Sequence, residues 1–516
     1  MTLDEKILRY EQHYRKTRAY NYALCLINFD GDTDGPKDAY EDRAEVLGTL
    51  SLEYFNHTTS QEYEQIINDL EEDYENLDEK MQRIVKLCRK NLNLLKKIPP
   101  KEYEDFSILV SKSNHVWKDA KEKGDFSIFE PYLEQVVEYQ RKFAKYYGEI
   151  DGFIYNSLLD QYEEGATIAK LDKFFAVLKE RIVPLLQKIN SSKVVIRDAF
   201  LERECPKDKQ LELGRYVAEL LGFNPNHGMI KETEHPFTIG ISKNDIRFTT
   251  HVYENNILSN LYSCAHEAGH AIYGQNINRD LINSILGDGA SMAFHESQSR
   301  FFENIIGRSE PFISVIFPKI QELFPTQFSD VSEREFYLAA NIVKPSFIRT
   351  EADELTYCLH VMLRYELEKQ LIGGEIEVKD LPELWNKKME EYLGVIPPND
   401  KVGVLQDVHW SQGSIGYFFS YALGNAYSAQ IYRAMKKDLD VDKIILSKDL
   451  LPIREWLYEH VYKYGALYPP EKLIKIATGE DFNPNYYCDY LEEKFSRIYK
   501  LKFMKLSSFF SKLFSK

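Results

Sequence analysis

The chain has 516 residues, 44% of them hydrophobic and 13% aromatic, which supplies a large core and excludes a globally disordered protein. Its 81 acidic against 65 basic residues leave a formal net charge of −16, which argues against a nucleic-acid partner because phosphate binding needs a positive face. Six scattered cysteines form no CxxC pair, and the amino terminus MTLDEKILRYEQHYRK lacks the apolar run of a signal peptide, so a reducing, cytoplasmic setting is expected.

Residues 1–27, 59–98, 131–191 and 208–222 are rich in Leu, Lys, Glu, Gln and Tyr, with apolar residues recurring at three- and four-residue steps, and are predicted to be helical. Pro99–Pro100 and Asn224–Pro225 are read as breaks between them. After the first stretch, DGDTDGPKDAYE (30–41) fits the spacing of a calcium loop, with Asp30, Asp32, Asp34, Gly35 and Glu41 in place. Such loops usually come in pairs and no second copy exists. Pro36 and Lys37 also stand where a working loop places a carbonyl ligand and an apolar residue, so an acidic turn is the expectation.

In PFTIGISKNDIRFTTHVYENN (236–256) the period shifts to two around a turn at Ser242–Asn244, which predicts a β-hairpin. Its second strand puts Asp245, Arg247 and Thr249 on one face and Ile246 and Phe248 on the other. Such alternation is common in half-solvated strands, so it does not by itself mark a cleft.

CAHEAGHAIYGQ (264–275) carries the strongest chemical signal. On a helix, His266 and His270 lie on one face and can present imidazole nitrogens to one ion, with Glu267 displaced enough to reach a water. The pattern H-E-x-x-H arises by chance in roughly one or two chains per hundred of this size, so a third ligand has to be found. GASMAFHESQSRFFENIIG (289–307) offers it on a second predicted helix. Glu296 follows His270 by 26 residues (296 − 270), room for one turn between helices. His295 is a rival, but neighbouring helix positions point about 100° apart, so only one of the two reaches the ion, and Glu296 is chosen. Two histidines and a carboxylate leave a fourth position open, the mark of a catalytic zinc site.

HPF (235–237), DIRFTT (245–250), HEAGH (266–270), HESQS (295–299), IRTEADE (348–354) and GVLQDVHW (403–410) stand in the order seen in the Taq-type zinc metallocarboxypeptidases, and the chain resembles that family to about residue 499. The resemblance implies a mainly α, two-lobed molecule of one domain over 1–499, with a deep groove and a small β-sheet next to the metal site. It implies zinc, with cobalt as a substitute, a homodimer, and removal of single residues from peptides with a free carboxyl terminus.

Roles follow from the chemistry expected of such a site. Zinc lowers the pKa of a water and polarises the scissile carbonyl, while Glu267 takes the proton and passes it to the leaving amine. His409 and Tyr417, the latter in GSIGYFFSYALG (413–424), are the candidate donors to the oxyanion; for Tyr417 the assignment leans on the resemblance to related dipeptidyl enzymes. Arg349 is the first choice for holding the substrate carboxylate and Arg247 the second, since arginine's planar fork does so bidentately. An ordinary helix salt bridge from Arg349 to Asp353 is the competing explanation. His235 and Asp245 complete the candidate substrate-binding residues. Two rival readings keep the ligands: an endo-acting zinc oligopeptidase without a carboxylate anchor, and a non-catalytic peptide-binding zinc scaffold. The tail KLKFMKLSSFFSKLFSK (500–516) departs from the family pattern. Its five lysines and apolar residues at 503, 506, 510 and 513 suggest an amphipathic helix, docked on the acidic body or in weak contact with an anionic membrane.

Overall fold

The computed structural model describes residues 1–501, so all but the first two residues of the basic tail lie outside the described region. The first periodic stretch is one helix, Leu3–Asp32, started by a capping box: Thr2 Oγ1 accepts from the Glu5 N–H at 3.3 Å and Glu5 accepts from the Thr2 N–H at 2.8 Å. The stretch 59–98 divides into Gln61–Glu72 and Glu79–Lys97, and 131–191 into Glu130–Tyr147, Ile154–Tyr162 and Ile168–Asn190. Gly148, Gly152 and Gly165, all with positive φ, make the latter breaks. The proline pair ends one helix at Lys97 and opens the next at Pro100.

The acidic stretch is not a loop throughout. The first helix runs on through Asp30 and Asp32, Asp34 pairs with Lys231 at 2.7 Å, and Asp30 lies 3.9 Å from Arg43.

The hairpin is present, as β2 (Thr238–Ser242) and β3 (Asp245–Thr250), antiparallel with Thr238 opposite Phe248 and Gly240 opposite Ile246. A third strand, β1 (Ile230–Glu232), pairs parallel to β3 and gives the order β1-β3-β2. Three residues carry no period, so β1 has no signal in the sequence. Ile246 and Phe248 are buried, and Phe248 packs edge-on to Phe223 at 5.0 Å. Asp245 and Arg247 turn to the other face, where the Arg247 guanidinium sits 5.1 Å from the Phe29 ring of the first helix.

β2 forms an edge of the sheet beside the helix Ile257–Asn276, here called the histidine helix. This helix runs along a cleft of about 2200 Å³, to which it contributes Tyr262, His266, Glu267, His270 and Gly274. The first helix and the helix Pro100–Lys123 supply side chains to the cleft, and the irregular segments around 341–356 and 403–417 supply more. Trp117 and Lys121 tie the Pro100 helix to the second of these segments by donating to the carbonyls of Leu405 (3.0 Å) and Gln406 (2.8 Å). Among the described residues no helix is long and apolar enough to cross a membrane.

Candidate metal centre and substrate cleft

The histidine helix is buried on most of its circumference, in keeping with a sequence in which only His266, Glu267 and His270 break a run of uncharged residues from 263 to 273. The helix Met292–Arg300, here the glutamate helix, is started by Ser291, whose Oγ accepts from the Phe294 N–H at 3.1 Å. The two helices cross at Gly269, where an added Cβ would lie 2.6 Å from Gln298 O and Ser299 Cα. On its other side the glutamate helix meets Gly424 of the helix Phe419–Asp438, where a Cβ would lie 2.6 Å from the Glu296 side chain. Two missing methyl groups therefore set the depth at which Glu296 sits.

At that depth Glu296 Oε2 lies 3.8 Å from His266 Nε2 and 3.6 Å from His270 Nε2. This is the one cluster of three metal donors found among the described residues. Tetrahedral zinc with bonds of about 2.0–2.1 Å sets ligand atoms roughly 3.3 Å apart, so a contraction of a few tenths of an ångström fits all three to one ion.

The next ring of residues explains why both histidines offer Nε2. His266 Nδ1 lies 2.8 Å from Glu303 Oε2, so its proton belongs on Nδ1 and the Nε2 lone pair is free. His270 Nδ1 lies 3.4 Å from His295 Nδ1, and His295 Nε2 lies 3.0 Å from Asp288 Oδ1. With Asp288 accepting from Nε2, His295 Nδ1 accepts from His270, which again leaves Nε2 of His270 free. His295, the rival candidate, thus stands behind His270 and orients it, outside the cluster of three donors. Arg300 Nε donates to Glu296 at 2.6 Å and its Nη1 to Glu303 at 2.9 Å. Burial opposes the charge on Glu296, yet Arg300 and the two imidazoles hold it well below the usual carboxylate range. The same contest, won by Arg300 and His266, brings Glu303 down to about 2. Burial also opposes charge on His266, but Glu296 and Glu303 raise its pKa, whereas burial lowers that of His270.

Sequence reasoning missed Glu303, Arg300 and Asp288. The first two follow Glu296 by seven and four residues, helical spacings that were open to reading. Hidden from it was the π-helical turn Phe301–Ile306 that carries Glu303.

Glu267 lies on the cleft and its Oε2 accepts from Thr238 Oγ1 of β2 at 2.6 Å. The same hydroxyl oxygen lies 3.1 Å from the Glu267 carbonyl, but its single proton goes to the shorter contact, so the sheet edge holds the Glu267 carboxylate.

A second group of side chains lining the cleft is built around Arg349. Its salt bridge goes to Asp407 and not to Asp353: Nε and Nη2 donate to Asp407 Oδ1 at 3.0 and 2.8 Å, and Nη1 donates to Tyr357 Oη at 3.0 Å. Arg364 takes the other oxygen of Asp407 at 2.5–2.6 Å, and two guanidiniums overcome burial to hold that carboxyl far below its ordinary value. Gln406 accepts from the Arg349 N–H at 2.8 Å, so consecutive residues of GVLQDVHW grip the backbone and side chain of IRTEADE. His409 stacks on Tyr417 with ring centres 5.6 Å apart, and its Nε2 lies 3.3 Å from Tyr421 Oη. Burial and Arg349 bring His409 down to about 4, and burial with Glu296 pushes Tyr417 up to about 12.

His235, Arg349, His409 and Tyr417 therefore line the same cleft as the metal donors. Asp245 and Arg247 do not; they bond each other at 2.7 and 2.8 Å on the sheet face toward Phe29.

The family model of carboxypeptidase Taq (M32) metallopeptidases matches residues 9–495. Carboxypeptidase 1 of Bacillus subtilis is 43% identical over 501 residues, covering 96% of this chain and 100% of that one. Thermostable carboxypeptidase 1 of Pyrococcus furiosus is 35% identical over 495 residues, covering 95% and 99%. An M32 carboxypeptidase structure from Deinococcus radiodurans superposes with a TM-score of 0.93 at 34% identity, covering 96% and 100% of the two chains.

Proposed function

As the chain belongs to the carboxypeptidase Taq (M32) metallopeptidase family, and is therefore a metallocarboxypeptidase acting on peptides, we propose that it is zinc-dependent and releases single residues from free carboxyl termini with broad preference. The observation that carries this reading is the convergence of His266, His270 and Glu296 from two crossing helices, with Glu267 alongside in the same cleft.

His266 and His270 through Nε2 and Glu296 through Oε2 would hold the ion. When bound, zinc supplies Lewis acidity that acidifies a water and polarises the scissile carbonyl, and cobalt can do the same. Glu267 accepts the water's proton and returns it to the departing amine, held for both tasks by Thr238. Tyr417 keeps its proton at neutral pH and donates to the developing oxyanion. Neutral His409 fixes the Tyr417 ring by stacking. Of the five N–H donors of Arg349, three are used within the protein, and one on each Nη remains for the planar carboxylate of the substrate terminus. His235 is assigned to substrate contact, and the working unit to a homodimer.

Mass spectrometry of a peptide ladder, with and without chelator and with Glu267→Gln, tests the reading. Stepwise shortening from the carboxyl end, abolished by chelator and by the mutation, is expected. Internal cleavage, or shortening that survives both treatments, overturns it.

A further inference from the structure

Glu368 lies on the helix Tyr357–Gly373, outside all six motifs, and is 1% exposed. Three donors converge on its carboxylate from separate parts of the chain. Trp410 Nε1 reaches Oε1 at 2.8 Å, while the Gly416 N–H and the Tyr155 hydroxyl both reach Oε2 at 2.9 Å. Trp410 directly follows His409, and Gly416 directly precedes Tyr417. The segment between them is not a continuing helix: a 3-10 turn ends at Gln412, and Gly413 and Gly416 adopt φ of 73° and 88°. A backbone of this kind lacks the ladder that would hold its register, and the Gly416 N–H would be an orphan in the core without Glu368. Gly416 is also closely packed, since a Cβ there would lie 3.2 Å from Leu158.

We infer that Glu368 is a positioning residue of the reaction: by gripping Trp410 and Gly416 with one carboxylate, it sets where His409 and Tyr417 stand in the cleft they share with the metal donors. The inference rests on the roles proposed above for Tyr417 and His409. A carboxylate suits the task because it accepts at both oxygens, whereas an amide would aim an NH₂ at one of the three donors. Tyr155 anchors the same carboxylate to the helix Ile154–Tyr162, whose Tyr162 packs edge-on to Tyr417 at 5.2 Å.

A double-mutant cycle in the full-length, zinc-loaded enzyme on a free-acid peptide tests this. Glu368→Gln is expected to lower kcat by about 10- to 100-fold, the cost of a catalytic group displaced by about an ångström, with KM within about twofold. Zinc affinity by chelator competition should not change. In a Tyr417→Phe background the same substitution should cost no more than about threefold, because residues acting as a unit are non-additive. Equal losses in both backgrounds, or a kcat untouched by Glu368→Gln, overturn the inference. Full activity of Tyr417→Phe would sink the oxyanion reading separately, and Glu368 would then stand or fall on the kcat of Glu368→Gln alone. If Glu368→Gln does not fold, Trp410→Phe removes one donor from an intact carboxylate; it should show the same split between kcat and KM and the same non-additivity, and equal losses in both backgrounds overturn the inference here too.

Discussion

The three candidate metal donors ride on two crossing helices, whereas Arg349, His409 and Tyr417 ride on the segments 344–356 and 403–417, with little repetitive structure. Helices hold their side chains through a backbone ladder, so the candidate metal centre needs only correct crossing, secured at Gly269 and Gly424. The irregular segments are held by buried or half-buried polar side chains instead. Asp353 accepts from the N–H groups of Lys344, Leu355 and Thr356, each at 3.0 Å, and from the Thr356 hydroxyl at 2.8 Å. The Gln406 NH₂ shares its two protons among the carbonyls of Phe347, Val402 and Gly403, 2.9–3.1 Å away, while its oxygen accepts from the Arg349 N–H. Where the backbone does not organise itself, a few polar side chains with several partners each do the organising, and the loss of one should be felt more widely than the loss of a helical metal donor.

The sharpest test of that contrast is Asp407→Ala. It strands two buried guanidiniums without their acid and should lower unfolding free energy by about 3–5 kcal/mol in urea titrations, the usual cost of breaking a buried pair. A loss below about 1 kcal/mol would mean that the wall does not depend on this carboxylate.

Arg349→Ala is expected to reduce kcat/KM on free-acid peptides by about 10- to 100-fold, the worth of a charge-assisted hydrogen bond, and to matter little for amidated ones. Equal loss on both substrates would move Arg349 from anchoring to scaffold.

At the candidate metal centre, Glu303→Gln should leave the fold intact while weakening metal binding about 10- to 100-fold in chelator competition with zinc, the expected cost of losing the acceptor that fixes His266 Nδ1. Unchanged affinity would remove Glu303 from the site.

The smallest effect concerns Glu163, buried at 3% exposure, which accepts from Tyr427 at 2.8 Å and faces Ser291 at the start of the glutamate helix. Burial pushes its carboxyl from 4.5 up to about 7 against those hydrogen bonds. A pKa raised on folding gives stability that is complete below pH 4.5 and is lost as the pH rises through about 7. Glu163→Gln should therefore flatten the fall in stability between those values, measured by thermal melts of the apoprotein; an unchanged slope would show that Glu163 titrates normally.

Much of this molecule was legible in its residues. The helical stretches, the hairpin, the shared helix face of His266 and His270, and the approach of Glu296 to that face ahead of its neighbour His295 all rest on periods of 3.6 or 2, which local backbone geometry enforces. The relation of Glu303 to Glu296 was also helical in spacing, though the π-helical turn between them was not foreseeable. Tertiary structure alone decided the rest. The parallel pairing of β1, the choice of Asp407 over Asp353 as the partner of Arg349, the packing of Arg247 on Phe29 away from the cleft, and the meeting of Trp410, Gly416 and Tyr155 on Glu368 join residues across loops or across large separations in the chain. Which buried charge meets which counter-charge depends on where whole elements pack, and no local period encodes it.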